Sequence, residues 1–573
     1  MNRKLFIFAI SCILLSGTHL KAADRVIGKM FATRSEVVAQ HGMVATSQPL
    51  ATQIGLDILK QGGSAVDAAI AANAALGLMR PASNGIGGDL FAIVWDPKTN
   101  KLHGINASGR SPKSLTREAF AKEGITESIP RMGKFSISVP GCVDGWFKLH
   151  GKFGKLSMKD ILRATIDYAN DGHPVPELIA AGWQGSVNNR SKQPELMPGF
   201  MNTFSHNGKG PAKGEIWKNS ALGNTLSILA NKGRDAYYRG EIARTIDAYM
   251  KTIGGYLSYD DLVTHKSEWV DPVSTNYRGW DVWELPPNGQ GIAALQILNI
   301  LEGIDLKSAG FGSARHIHSF VEAKKLAYED RAKYYADPQF SKVPVEKLIS
   351  TAYADNRRRL IDQNRASKKY APGILERGDT IYLCTADSGG MMVSLIQSNF
   401  SGFGSGVCIP ELGFAFQNRG ASFTFEKGHA NEYQPGKRPF HTIIPAFVTE
   451  NGKPLMSFGV MGGSMQPQGH AQIIMNMKDF GMNLQEAGDA PRINHSRSTQ
   501  PFGNTSKMTD GGSVYLEDGF TPETRRTLTN MGHRIELTAS SMYGGYQAIY
   551  RDPKSGIYFG ASESRKDGHA AGY

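Results

Sequence analysis

Gly378-Asp379-Thr380-Ile381-Tyr382-Leu383-Cys384-Thr385 is where this chain changes character. Before it, apolar residues recur mostly with helical spacing; after it, short apolar runs alternate with tight turns. Residues 381–385 read as a strand, and Asp387-Ser388-Gly389-Gly390 turns the chain back into a second one over 391–397. Further strands are expected over 413–417, 443–449 and 454–460, with Glu450-Asn451-Gly452-Lys453 as the turn between the last two. Two more are expected over 547–551 and 556–560. Upstream, 50–78 predicts two helices broken at Gly62-Gly63, the second rich in alanine and so suited to close packing. A strand over 91–95 is closed by the hairpin turn Asp96-Pro97-Lys98-Thr99. Helices are expected over 157–171, 219–231, 240–252, 291–303 and 313–336. Helices first and strands later predict an α+β, layered architecture. Residues 355–378 carry Asn356-Arg357-Arg358-Arg359 and Lys368-Lys369 and are expected to form a mobile surface stretch leading into Thr380.

Bulk properties narrow the function. The 573 residues are 40% hydrophobic and 20% charged, which excludes a disordered or fibrous chain. Arg3 and Lys4, an apolar run over 5–15, and Ala22-Ala23 read as a signal peptide over residues 1–22. No later segment reads as transmembrane, so the protein is expected to be periplasmic or secreted. Removing the leader takes Arg3, Lys4 and Lys21 and no acid, lowering the net charge from +12 to +9. The remaining basic residues are scattered, with no motif for nucleic acid. Three cysteines then remain, Cys142, Cys384 and Cys408, too few for a disulfide framework. No Cys/His spacing suits zinc, and no metal or cofactor is expected.

A threonine at the start of a strand is unremarkable alone, and a Gly-Gly pair is ordinarily a turn. Here Thr380 is followed by Gln397-Ser398-Asn399-Phe400-Ser401-Gly402-Phe403-Gly404-Ser405-Gly406, by Pro435-Gly436-Lys437-Arg438-Pro439 and by Gly459-Val460-Met461-Gly462-Gly463. Together with Gln61-Gly62-Gly63-Ser64-Ala65-Val66-Asp67, Gly233-Arg234-Asp235-Ala236-Tyr237-Tyr238 and Glu322-Ala323-Lys324-Lys325-Leu326-Ala327-Tyr328-Glu329-Asp330-Arg331, this order of motifs resembles the γ-glutamyltransferase family. That family includes glutathione hydrolases and some cephalosporin acylases. The resemblance implies a four-layer αββα N-terminal-nucleophile hydrolase sandwich. It also implies self-cleavage between Asp379 and Thr380, giving a large piece over 23–379 and a small catalytic piece over 380–573 that share one intertwined domain.

The chemistry this implies is economical. A threonine hydroxyl needs a base to attack an amide. Once the preceding bond is cut, the residue's own α-amine, with an ordinary pKa of about 7.7–8.0, is available to take the proton. By resemblance Ser398 orients the nucleophile, and Gly462 and Gly463 supply oxyanion-hole N–H groups. Substrate-binding positions depart from the glutathione-cleaving members. The aspartate that meets the α-amine is Ser422 here, a neighbouring polar residue is Arg419, an asparagine is Phe400, and paired serines are His441 and Thr442. Arg110 is the counterpart of the α-carboxylate arginine if a short gap is allowed. The stretch 423–435 is short for the lid of some members. Loss of an acid and gain of Arg419 favour an acyl group with a carboxylate and no α-amine, such as glutaryl or oxalyl; alternatively Arg419 pairs with a carboxylate of the protein. The substrate is thus expected to be a small amide or peptide, either γ-glutamyl or a related acidic acyl amide. Rival readings are an exported binding protein on the same scaffold and a hydrolase built on Cys384 and His441.

Overall fold

The computed structural model describes residues 27–371, 379–505, 507–537 and 543–573, with the side chains of residues 379–381 outside the description. The leader over 1–22 and residues 372–378 lie outside the described residues. Two seven-stranded sheets face each other. One runs in the order Val37–Ala39, Tyr558–Ser562, Gly545–Arg551, Lys453–Met461, Ala446–Glu450, Trp280–Glu284, Val273–Tyr277. The other runs His569–Gly572, Met43–Thr46, Asp379–Ala386, Met392–Phe400, Asp89–Asp96, Lys101–Asn106, Glu268–Val270. Every pairing within both sheets is antiparallel.

Strand periodicity explains the layers, because alternate side chains point to opposite faces. In Asp89–Asp96, Phe91, Ile93 and Trp95 join Tyr382, Cys384, Met392 and Ile396 in the cluster between the sheets. Leu90, Ala92 and Val94 join Leu383, Val393 and Leu395 against the helices of the outer face. Both faces are covered, so these strands read as continuous apolar runs. The helix Ala65–Met79 lies in that outer layer with all but Gly77 buried, capped by Ser64 and Asp67 and by a bond from the Ala65 N–H to Asp387. The helices Ile292–Glu302, Ala314–Tyr334 and Gln466–Lys478 cover the other sheet. The expected αββα sandwich is therefore the observed one.

Several expectations are corrected in detail. The strand expected over 443–449 begins only at Ala446, because Pro445 has no N–H and that of Ile444 is taken by Gln466 Oε1 at 3.0 Å. The strand expected over 413–417 shrinks to Phe414–Ala415. Residues 355–358 are not a loose surface stretch: they close the helix Thr351–Arg358. Arg358 donates to the carbonyls of Ile300 and Asn299 at 2.6 and 2.7 Å, near the end of Ile292–Glu302, and Arg357 donates to Leu326 O at 2.9 Å. The Arg358 charge thus serves helix-end carbonyls. The three cysteines are free and buried.

Glu329, in the helix Ala314–Tyr334, is buried with Oε1 unpaired among the described residues. Burial raises its carboxyl to about 8, with Lys324 and Arg357 pulling the other way. The fold therefore keeps a proton that the unfolded chain releases near 4.5, so this contribution to stability is complete below that pH and lost as pH rises through about 8. Glu329→Gln is expected to melt several degrees higher than the parent at pH 8 and at the same temperature at pH 4.5. An equal effect at both pH values in a thermal melt would rule out the titration.

Candidate active site

The site is built across three adjacent strands. Asp379 pairs with Phe400 and Ile381 with Gln397, so a bulge sets Ser398 and Asn399 opposite the single residue Thr380. On its other side Ser398 is the register partner of Asp89. Backbone geometry thus places Thr380, Ser398 and Asp89 in one row at the end of the sheet. Gly88 makes this possible: a Cβ there would stand 2.6 Å from Ser398 O. The preceding turn is locked from behind, where Gln397 accepts from Gly85 N–H at 3.1 Å and donates to Gly85 O at 2.7 Å.

Asp89 is the centre of this cluster, and the sequence reading did not single it out. It is fully buried, and its Oδ1 accepts the Ser398 N–H at 3.1 Å. Its Oδ2 accepts Arg419 Nε at 2.5 Å and lies 3.3 Å from His441 Nε2. Burial alone would raise the carboxyl, but Arg419 and His441 outweigh it and hold Asp89 below its usual range. Burial, followed by the Arg419 charge, lowers His441, while Asp89 and the Pro439 carbonyl, 2.8 Å from Nδ1, pull the other way. The positive charge expected at position 419 is therefore present but already matched inside the protein. The only signal for this in the sequence is an acid placed at the head of an apolar strand after Gly87-Gly88.

Arg419 opens the short turn Arg419–Ser422. Its Nη1 donates to Thr442 Oγ1 at 2.8 Å, its guanidinium stands 4.9 Å from the centre of the Phe400 ring, and its Nη2 has no partner among the described residues. Ser422 is buried with its hydroxyl likewise unpaired, while its carbonyl accepts Asn431 Nδ2 at 2.6 Å. Phe400 holds a left-handed φ of 75°, and its N–H donates to Ser398 Oγ at 2.8 Å. His441 stacks on Phe91 with centroids 5.5 Å apart. Ser398, Phe400, Arg419, His441 and Thr442 are thus gathered around Asp89 or one contact from it, and Ser422 ends the turn that Arg419 opens. The stretch 423–435 is packed down rather than arched, with Tyr433 OH bonded to Leu115 O at 2.5 Å.

Arg110 is placed differently. Its guanidinium donates to Asp337 at 3.2 Å, Gly436 O at 3.0 Å and Gln339 at 2.6 Å, and it remains about a quarter exposed. These partners tie it to the Lys437-Arg438 loop, where Arg438 N–H shares Asp337 at 2.9 Å.

Gly462 and Gly463 adopt φ of 127° and 56°, the first with room for no Cβ, since one would meet Gly544 Cα at 3.0 Å. They lead into the helix Gln466–Lys478. Gln290 holds this loop: its Nε2 donates to Gly463 O at 2.8 Å and to Thr442 O at 2.6 Å, and its Oε1 accepts from Arg331. Tyr328 OH adds a bond to Ser464 O at 2.7 Å. The motif 322–331 thus serves the glycine loop from beneath.

Other groups are accounted for. Cys384 is buried between the sheets, and burial pushes its thiol far above the usual value, which disfavours it as a nucleophile. His318, Glu322 and His533 are close enough to hold an ion, but Glu322 is engaged by Lys325 Nζ at 2.7 Å and Tyr370 OH at 2.7 Å, and the two rings bond each other at 2.8 Å. A cation there would have to displace an ammonium.

Residues 51–573 match the family model for γ-glutamyltranspeptidase. The chain belongs to this family. It is 35% identical to the glutathione hydrolase-like YwrD proenzyme of Bacillus subtilis, over 94% of this chain and 99% of that one. It is 34% identical to the oxamate amidohydrolase proenzyme of Klebsiella pneumoniae, over 94% and 100%. Among solved structures, the cephalosporin acylase of Bacillus halodurans superposes with a TM-score of 0.87 at 42% identity, covering 94% of this chain and 97% of that one. The protein is an N-terminal-nucleophile amidohydrolase.

Gln290→Ala removes the side-chain donor from the carbonyls of Thr442 and Gly463, at about 1–3 kcal/mol for each buried group left unpaired. Amide hydrolysis is expected to fall by at least about tenfold, as it does when an oxyanion donor is misplaced. A variant that melts lower yet keeps full turnover would show that the glycine loop does not need this tether.

Proposed function

We propose that the protein is an exported, self-cleaving amidase for acyl groups that lack an α-amine. Thr380 is its nucleophile. In the precursor the Thr380 hydroxyl adds to the Asp379 carbonyl, the peptide nitrogen leaves as the new α-amine, and water hydrolyses the ester. In turnover that α-amine takes the hydroxyl proton as Thr380 attacks the substrate carbonyl and returns it to the departing amine. Ser398 orients the nucleophile. Gly462 and Gly463 stabilise the oxyanion, and water or an amine resolves the acyl-enzyme.

The observation that carries the specificity is the state of Asp89. A γ-glutamyl group brings an ammonium, which needs a carboxylate to receive it. Position 422 is a serine, and Asp89 is already spent on Arg419. What remains is a pair of donors, Arg419 Nη2 and the Ser422 hydroxyl, suited to a carboxylate or carbonyl at the far end of a glutaryl- or oxalyl-like acyl group. Phe400, His441 and Thr442 would border it, and Arg110 would meet the substrate only by leaving Asp337. The name of the oxamate amidohydrolase relative supports an acyl group of the oxalyl kind. The word proenzyme in the relatives' names supports cleavage into two pieces. Export rests on the leader over 1–22, and no helix among the described residues is long and apolar enough to cross a membrane.

On a denaturing gel the mature protein is expected to give bands of about 39 and about 21 kDa, from the share of the chain on each side of the cut. Thr380→Ala should give one band and no activity. Hydrolysis of glutaryl and oxalyl amides should exceed that of the γ-glutamyl amide by at least about tenfold, one misplaced charge being worth that much. A preference for γ-glutamyl would overturn the specificity, and an active enzyme still joined at residues 379 and 380 would overturn the mechanism.

A further inference from the structure

Asp89 and Arg419 form a charge pair that water does not reach, and each of its members already has a partner on the protein. The carboxylate is held by the Ser398 N–H at 3.1 Å and by Arg419 Nε at 2.5 Å. The guanidinium is held on a second edge by Thr442 Oγ1 at 2.8 Å. Both side chains are fully buried, and the imidazole of His441 is the third group in contact, its Nε2 3.3 Å from Asp89 Oδ2. The carboxylate and guanidinium charges therefore cancel as a pair. Yet the cluster is not closed: Arg419 Nη2 and Ser422 Oγ are buried polar atoms with no partner among the described residues. The guanidinium stands 4.9 Å from the ring of Phe400, whose backbone is the register partner of Asp379, next to the bond that yields the nucleophile.

We propose that Asp89 is the charge-setting residue of the acyl pocket. By holding Arg419 as the inner half of an ion pair, it makes the pocket a neutral hydrogen-bond donor site rather than an anion trap. The acyl group it fits ends in a carbonyl or a single carboxylate and carries no ammonium. Asp89 acts through Arg419 and through the Ser398 backbone, so it is a positioning and specificity residue. This inference rests on the amidase reading above. It also implies a hidden symmetry: removing either partner exposes the other's charge. Without Asp89 the pocket holds an unmatched cation and attracts anionic acyl groups. Without Arg419 it holds an unmatched carboxylate, which can receive the ammonium of a γ-glutamyl group.

The test uses the mature two-piece enzyme and three p-nitroanilides of similar length: glutaryl (anionic), valeryl (neutral) and γ-glutamyl (bearing an ammonium). Asp89→Asn, Arg419→Gln and the double variant are compared with the parent by kcat/KM, each first checked for self-cleavage on a gel. Asp89→Asn is expected to raise the glutaryl-to-valeryl ratio at least tenfold, chiefly through KM, with the gain shrinking as salt is added. Arg419→Gln is expected to raise the γ-glutamyl-to-valeryl ratio at least tenfold. The double variant should bring both ratios back to within about threefold of the parent, because an Asn–Gln pair is again neutral. A merely structural role would lower all three activities together and would not move the two ratios in opposite directions. If Asp89→Asn fails to mature, Arg419→Gln and the double variant still decide the matter through the γ-glutamyl ratio. Ratios that stay within twofold of the parent, or that shift the same way in both single variants, overturn the proposal. A self-cleaved parent that hydrolyses none of the three amides overturns the amidase reading instead.

Discussion

One buried carboxylate organises the end of the sheet. Taking an ionised acid out of water costs several kcal/mol unless every lone pair is met by a donor or a cation. Asp89 is met by a strand N–H from Ser398, by a guanidinium from the turn Arg419–Ser422, and it lies beside a ring from the loop after Arg438. Each of these comes from a different segment of the chain. Satisfying one residue therefore fixes the relative position of all three, and the glycine pair before Asp89 lets the strands come close enough for it to happen. Gln290 performs the same office on the opposite side, joining Thr442 to the glycine loop.

The sandwich was legible in the sequence where its strands are long. The runs around 381–385, 391–397 and 454–460 lie in the middle of sheets and are buried on both faces, so they stand out as apolar blocks bounded by turns. The edge strands were not visible. Val37–Ala39 and Glu268–Val270 have three residues each, too few for a periodicity, and His569–Gly572 is alanine and glycine for the most part. They become strands because a neighbour offers unpaired backbone groups. The basic run at 356–359 misled for a related reason: charge usually marks a solvated face, but helix ends supply carbonyls that compete with water for arginine.

At the candidate site, resemblance pointed to five residues that the fold places around Asp89, but neither Asp89 nor the electrostatics of the cluster was legible. Arg419 and Asp89 lie 330 positions apart, and nothing local to either reveals the other. Ser422 looked like a simple loss of an acid. The fold shows that another acid, Asp89, pairs with the arginine of the same short turn. The count of charged residues in a pocket is therefore a poor guide to the charge it presents, because a partner supplied from another strand can cancel it.

Each sheet interleaves strands from both sides of the Asp379–Thr380 bond. Met43–Thr46 and Asp89–Asp96 flank the pair Asp379–Ala386 and Met392–Phe400, and Trp280–Glu284 borders Ala446–Glu450. Opening that bond would leave two polypeptides woven through one another, the first lacking the central strands of both sheets and the second lacking the strands that flank them. Neither could keep such a core on its own. If the bond is cut, assembly would have to precede scission, and a cut molecule that once unravels would have lost the connectivity by which it was first put together. Its endurance would then be governed by how slowly it comes apart and not by any equilibrium with its separated halves.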